Sequence, residues 1–178
     1  MGPVPTPAGH FLAGVATHIA TSPHEEIAYR RRAIVTLTAA LLPDFDFVLR
    51  LVDGHNHHQG PSHSLGAAVL AGAVVLVVAL LRRWPHALGL GVAAVLGWSS
   101  HVLLDYSNVD TNPPIGIMAL WPVSRDYYKL RWPVFLDVGR TLEWRTVWHD
   151  GLAVAWEVVA LSALVVLAWR VRMRRAHQ

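Results

Sequence analysis

Two long apolar runs limit what this chain can fold into. Leu65–Leu81 reads LGAAVLAGAVVLVVALL, seventeen residues without a charge, and is closed by Arg82 and Arg83. The run 152–169 reads LAVAWEVVALSALVVLAW, eighteen residues with one acid, Glu157, and is followed by Arg170, Arg172, Arg174 and Arg175. As helices rising about 1.5 Å per residue, each reaches roughly 26 Å, close to the hydrocarbon thickness of a bilayer. Both are apolar all round rather than along one stripe, which suits a helix that faces lipid or is wholly buried. A third run, Ala87–Tyr106, carries His101 and Asp105 near its end. A fourth, 33–49, is interrupted by Pro43, Asp44 and Asp46, and a short fifth, 9–20, contains His10 and His18. The pattern predicts an all-α fold, an integral membrane bundle of about four to five helices.

Composition narrows the chemistry. With no cysteine, the chain can build neither a disulfide scaffold nor a thiolate zinc site. Charged residues are 15% of the chain, against about 25% in an ordinary soluble domain, and a hydrophobic share of 53% excludes a disordered chain. The N-terminus lacks a basic stretch ahead of its first apolar run, so no cleaved signal peptide is expected.

Charge also orients the helices. Arg30–Arg32, Arg82–Arg83 and the four C-terminal arginines hold nine of the fifteen basic residues. An alternating path through five helices brings all three clusters to one face, which the positive-inside rule assigns to the cytoplasm. His10, Asp44, Asp46, the loop 53–63, His101 and Asp105 then gather at the other face, so a site at the non-cytoplasmic membrane surface is expected.

Four motifs carry that site. Pro43-Asp44-Phe45-Asp46 places two carboxylates just past a helix that Pro43 breaks, where acids are costly unless solvated, paired or bound to a cation. The loop Gly54-His55-Asn56-His57-His58-Gln59-Gly60-Pro61-Ser62-His63-Ser64 holds four histidines in nine residues. The turn at Gly60-Pro61 can aim His58 and His63 at one point, with Ser62 as the expected N-cap of the next helix. His101 and Asp105 are one helical turn apart and share a face. His10 opens the first helix; His18, two turns on, is about 12 Å away and reads as a packing residue. Three carboxylates and several imidazoles make an N/O ligand set for a divalent metal, Zn²⁺ with Mn²⁺ or Fe as alternatives, in one to three copies. Metals bridged by aspartate commonly serve phosphoester hydrolysis through activated water.

These motifs, in this order, resemble the YdjM-like membrane-bound metal-dependent hydrolases, also described as LexA-binding inner-membrane hydrolases. The family pattern reads here as Gly9-His10, Leu41-Leu42-Pro43-Asp44-Phe45-Asp46, His58-Gln59-Gly60-Pro61-Ser62-His63-Ser64, Ser100-His101-Val102-Leu103-Leu104-Asp105 and Trp121-Pro122. The resemblance covers about residues 9–122. It implies metal ligands at His10, Asp44, Asp46, His58, His63, His101 and Asp105, with Asp46 and His58 as catalytic groups, Asp46 bridging ions or acting as base. The pattern is similar, more distantly, to the trinuclear zinc site of the phospholipase C and S1/P1 nuclease group. Three positions depart from it: Gln59 replaces an Arg that would grip a phosphate in a bidentate fork, Ser62 replaces Thr, and Phe47 stands where many relatives have His.

Past residue 122 the resemblance fades. The chain is expected to be one domain over 1–178: a core at 9–122, an aromatic-rich interfacial or lid segment at 123–150, a membrane helix at 151–170 and a basic tail at 171–178. In the lid reading, Arg125, Lys129, Arg131 and His149 contact substrate, and Asp137, Glu143, His149 or Asp150 supplies a late ligand or base. The expected partners are the bilayer, anionic lipid at the arginine tail and a small or lipid-like substrate, rather than nucleic acid. The competing function is a non-catalytic membrane metal-binding or partner-recruiting protein. A transport path is disfavoured because Leu65–Leu81 has no polar side chain and 152–169 has only Glu157 and Ser162.

Overall fold

Local sequence sets where each helix starts and stops. In the computed structural model, which describes residues 5–23, 26–55, 57–110, 113–136, 138–139 and 143–176, Thr6 caps α1 (Pro7–Thr21) by accepting from Gly9 N–H, with Pro7 in the first turn. The second helix, α2 (Glu26–Leu41), runs into a 3-10 turn, Leu42–Asp46, at Pro43. Proline lacks the N–H that would continue the α-helical ladder. A short α3 (Phe47–Asp53) follows and is closed by Gly54 at φ 75°. A second 3-10 turn, Pro61–His63, leads into α4 (Leu65–Leu81). Then come α5 (Ala87–Tyr106) and α6 (Trp144–Ala176). Among the described residues there is no β-strand, only isolated bridges that tie Asn108 to Phe135 and Ile117 to Tyr128 in the long loop after α5.

Two expectations are corrected. Ser62 does not cap α4; Ser64 does, accepting from Ala67 N–H at 3.0 Å, which leaves His63 in the 3-10 turn before the helix. The last helix is also longer than its apolar core. It spans 33 residues and takes in Trp148, His149 and Asp150, so the end of the expected interfacial segment is helical. Its flanking polar and arginine-rich turns stay helical because long basic side chains can reach water beyond an apolar layer.

The helix α5 is the centre of the bundle, with α1, α2 and α4 packed on it, while α6 packs on α1. Half of the apolar window of α5 is buried, against 17% for α6. Both are long and apolar enough to cross a membrane. The outward aliphatic surface of α4 and α6, with Val69, Leu70, Val159 and Leu167 all more than half exposed, is too extensive for a protein in water and matches lipid. The starts of α1 and α4 meet the ends of α2 and α5 at one end of the bundle. At the opposite end Arg172 of α6 donates to Ser22 O at 2.9 Å and lies over the Tyr29 ring, and Arg31 lies over the Trp84 ring. The arginine clusters are thus at the far end from the acids and histidines.

Close backbone approach holds α2 on α5. A Cβ on Gly97 would lie 2.3 Å from Thr36 O, so the two helices touch backbone to backbone there. Gly97→Ala should force them apart and cost about 1–3 kcal/mol, typical of overpacking. A thermal-shift measurement in detergent checks this; an unchanged melting temperature would show that the contact does not support the bundle.

Candidate metal centre

At the end of the bundle where α2 and α5 finish, four chain segments deliver side chains to one point. His10 comes from the first turn of α1, Asp44 from the break at Pro43, His58 and His63 from the loop before α4, and His101 and Asp105 from consecutive turns of α5. The turn that aims the two loop histidines is tight: Gln59 adopts φ 66°, and Gly60 N–H donates to His57 O at 3.2 Å.

His10, His63 and His101 are wholly buried, and Asp105 nearly so. His101 Nε2 is 3.1 Å from Asp105 Oδ2 and 3.6 Å from Asp44 Oδ1. His63 Nε2 is 3.3 Å from Asp105 Oδ2 and 3.6 Å from Asp44 Oδ1. His10 Nε2 is 3.4 Å from Asp105 Oδ1 and 3.9 Å from Asp44 Oδ2, and its ring stacks on that of His101 at 3.7 Å. Yet His10 Nε2, His63 Nε2, His101 Nε2, Asp44 Oδ1 and both Asp105 oxygens make no hydrogen bond among the described residues. Buried polar atoms without partners are rare and costly, and a cation satisfies all of these together. The spacing fits as well: donors about 2.1 Å from a tetrahedral ion lie about 3.4 Å apart. Three groups have ligand atoms within 4.8 Å of one another: His10, Asp44 and His101; Asp44, His58 and His63; His63, His101 and Asp105. They share members, so the six residues form one continuous site able to hold a metal ion.

A second layer orients the first. His101 donates from Nδ1 to Ala40 O at 2.9 Å, which leaves Nε2 as its ligand atom. Asp46 stands behind two histidines: Oδ1 is 3.1 Å from His58 Nδ1, and Oδ2 is 3.3 Å from His63 Nδ1. Asp46 Oδ2 also accepts from Ser62 Oγ at 2.7 Å. It belongs to none of the three ligand groups, and its contacts set it behind the two histidines. Phe47 stacks on the His58 ring at 4.2 Å and packs it in place. Gln59 donates to Asp110 Oδ2 at 3.4 Å, and Asp110 also accepts from Gly116 N–H at 2.6 Å. Position 59 therefore ties the histidine loop to the loop after α5.

Charge at the site follows from these contacts. Burial pushes the Asp46 carboxyl up, but hydrogen bonds from His58, His63 and Ser62 outweigh it and hold the group below the usual carboxylate range. Asp44 is likewise kept low, its burial outweighed by His63, His101 and His10. Burial favours neutral His63, but the carboxylates of Asp44, Asp46 and Asp105 raise its pKa to about 10. Without a metal, His63 carries a proton among these acids.

The remaining histidines and the residues of the expected lid lie elsewhere. His57 pairs with Asp53 at 2.5 Å on an exposed face, and His55 is exposed. His18 is buried toward the far end of α1, bonded to Ser22 Oγ at 2.7 Å. Arg125, Lys129 and Arg131 are exposed and make none of the ion pairs described at the cluster; Arg131 lies over Trp132. His149 is exposed beside Asp150 at 3.6 Å, and Asp150 accepts from Gly139 N–H. Glu143 is exposed, and Asp137 falls outside the described residues. One residue was missed. Glu157 is buried on α6 and accepts from Thr6 N–H at 3.0 Å and from Thr6 Oγ1 at 2.7 Å. It holds the start of α1, and hence His10, against α6. Gly9 makes room, since a Cβ there would lie 1.8 Å from Glu157 Oε1. The signal was present in the sequence, as Glu157 is the single acid of its apolar run.

A family model described as YdjM inner membrane protein matches residues 6–176. Neither the curated proteins nor the solved structures contain a match.

Two outcomes are expected. In detergent-purified protein, His63→Ala, His101→Ala and Asp105→Ala should each lose most bound transition metal by elemental analysis, while His55→Ala retains it; equal retention in all four would refute the cluster as a metal site. Because an ion must displace the proton that His63 holds up to about pH 10, apparent Zn²⁺ affinity should rise with pH. Between about pH 6 and about pH 8 the rise should approach tenfold per unit for one proton released. Calorimetry in buffers of different ionisation enthalpy reads that proton directly.

Proposed function

The chain belongs to the YdjM inner membrane protein family, and from its buried cluster we propose that it is a multi-pass, metal-dependent hydrolase of phosphoesters on small or lipid-like substrates. The observation that carries this reading is the set of inward-facing imidazole and carboxylate atoms that are buried together and make no hydrogen bond. A ligand set of nitrogen and oxygen favours Zn²⁺, with Mn²⁺ or Fe next, in one to three copies. A bound divalent ion supplies Lewis acidity, which activates water and neutralises phosphoryl oxygens.

The remaining work falls to named residues. His10, Asp44, His63, His101 and Asp105 hold the ion. His58, with Nδ1 toward Asp46, offers Nε2 as general base. It takes a proton as the water oxygen bonds to phosphorus, and returns it to the alkoxide as the ester P–O bond breaks. Asp46, held ionised by its hydrogen bonds, keeps both His58 and His63 turned toward the centre. Arg125, Lys129 and Arg131, exposed on the loop after α5, favour the approach of an anionic substrate. The separation of arginine clusters from the acid-histidine end supports a site on the non-cytoplasmic face. Arg174 and Arg175 are exposed at the other end, where they suit anionic lipid.

The test is turnover of bis(p-nitrophenyl) phosphate and of phosphatidic acid by Zn²⁺-loaded protein. Chelation should stop it, added metal should restore it, and His58→Ala should lower it by about a hundredfold or more. Stoichiometric metal without turnover of phosphoester, ester or amide substrates would instead make this a non-catalytic metal-binding protein.

A further inference from the structure

Beside the metal centre the bundle leaves an apolar groove of about 660 Å³. It forms because α2 and α4 both pack along α5, and the space between them is left unfilled. The spacing of residues explains it. Ala67, Leu70, Ala71 and Val74 stand at i, i+3, i+4 and i+7 of α4 and so share one face. The buried Ala39 and Ala94 line it from α2 and α5, where larger side chains would close it. From Ala67 to Val75 the groove follows about 12 Å of helix. Its volume falls within the usual 300–1,000 Å³ of ligand sites.

The two ends of the groove differ. Toward the middle of the bundle its rims, Ile34, Leu70 and Val74, are exposed to the surroundings that α4 shares with lipid. At the other end it reaches Ser62, whose Oγ donates to Asp46 Oδ2 at 2.7 Å and whose carbonyl accepts from Trp98 Nε1 at 2.8 Å. Trp98 and Trp121 wall that end. One surface therefore runs from bilayer-facing aliphatic side chains to the residue bonded to the outer shell of the metal centre.

We propose that this groove takes one acyl chain of an anionic phospholipid and sets its phosphate at the metal centre. The headgroup half rests on the hydrolase reading above; the chain half rests on the groove alone. Continuity with the centre selects the occupant, because a lipid is the molecule that is apolar along such a path and anionic at its end. In a bilayer the chain leaves one apolar medium for another, so the groove contributes registration more than affinity: it fixes how deep the phosphate sits.

The test uses the full-length protein in phosphatidylcholine nanodiscs doped with phosphatidic acid that carries a diazirine midway along one acyl chain. After irradiation, adducts should concentrate on residues 34–42 and 67–75, several-fold above residues 159–167 of α6. Ala71→Phe should remove the groove adducts and leave those on α6. Val74→Trp, on the exposed rim, gives a second obstruction should the first variant not fold. Both variants should keep bound metal, which shows that they fold. Adducts spread evenly over the outward helices, or unchanged in the obstructed variants, would overturn the proposal. Groove adducts in a wild type that hydrolyses nothing would leave the lipid site standing and remove the hydrolase.

Discussion

Everything at the functional end of this protein depends on one electrostatic problem: imidazoles and carboxylates buried together, whose facing atoms make no hydrogen bond among the described residues. Three wholly buried imidazoles face two carboxylates at the end of an apolar bundle. Left alone, such groups repel, protonate or admit water. Here His63 carries a proton held up to about pH 10 by Asp44, Asp46 and Asp105. A divalent ion meets the same demand with more ligands at once, and the second layer is already set for it: Ala40 O holds His101, and Asp46 holds His58 and His63.

The bundle makes the cluster possible by ending its helices at the right places. Pro43 stops α2 one residue before Asp44, so the acid leaves the helix where α5 presents His101 and Asp105. Ser64 caps α4 and leaves His63 just outside it, free of the helical register. Glu157 crosses from α6 to hold the start of α1. Gly97 lets the backbones of α2 and α5 touch, and Gly9 leaves room for the Glu157 side chain. The groove between α2 and α4 is the complement of that arrangement: alanines allow close contact with α5 and leave space on the outer side.

Much of this was legible in the residues. The unbroken run Leu65–Leu81 and the run Ala87–Tyr106 coincide with α4 and α5, because such apolar stretches bounded by charge, glycine or proline have one stable conformation in lipid. The His-x-x-x-Asp spacing placed His101 and Asp105 on one face of α5. Less legible were the roles of near neighbours. Asp44 and Asp46 are two residues apart and look alike in the sequence, yet one faces inward and the other stands behind the histidines. The 3-10 geometry after Pro43 separates them. Position 59 looked like a phosphate contact from the family pattern, and its side chain turns to Asp110 instead. Position 47 packs on His58, a contact that needs the turn of the loop to exist.

The sequence by itself determined the helices, the separation of basic from acidic and histidine-rich ends, and the identity of the ligand-type residues, since these follow from local hydrophobicity, charge and spacing. Only the tertiary structure decided that Asp46 stands behind His58 and His63, that Glu157 anchors α1, and that a groove leads to Ser62. Those outcomes depend on contacts between residues far apart in the chain, such as Thr6 with Glu157 or Asp46 with His58 and His63. Periodicity governs which face a residue takes on its own helix; only packing against the other helices settles what that face meets.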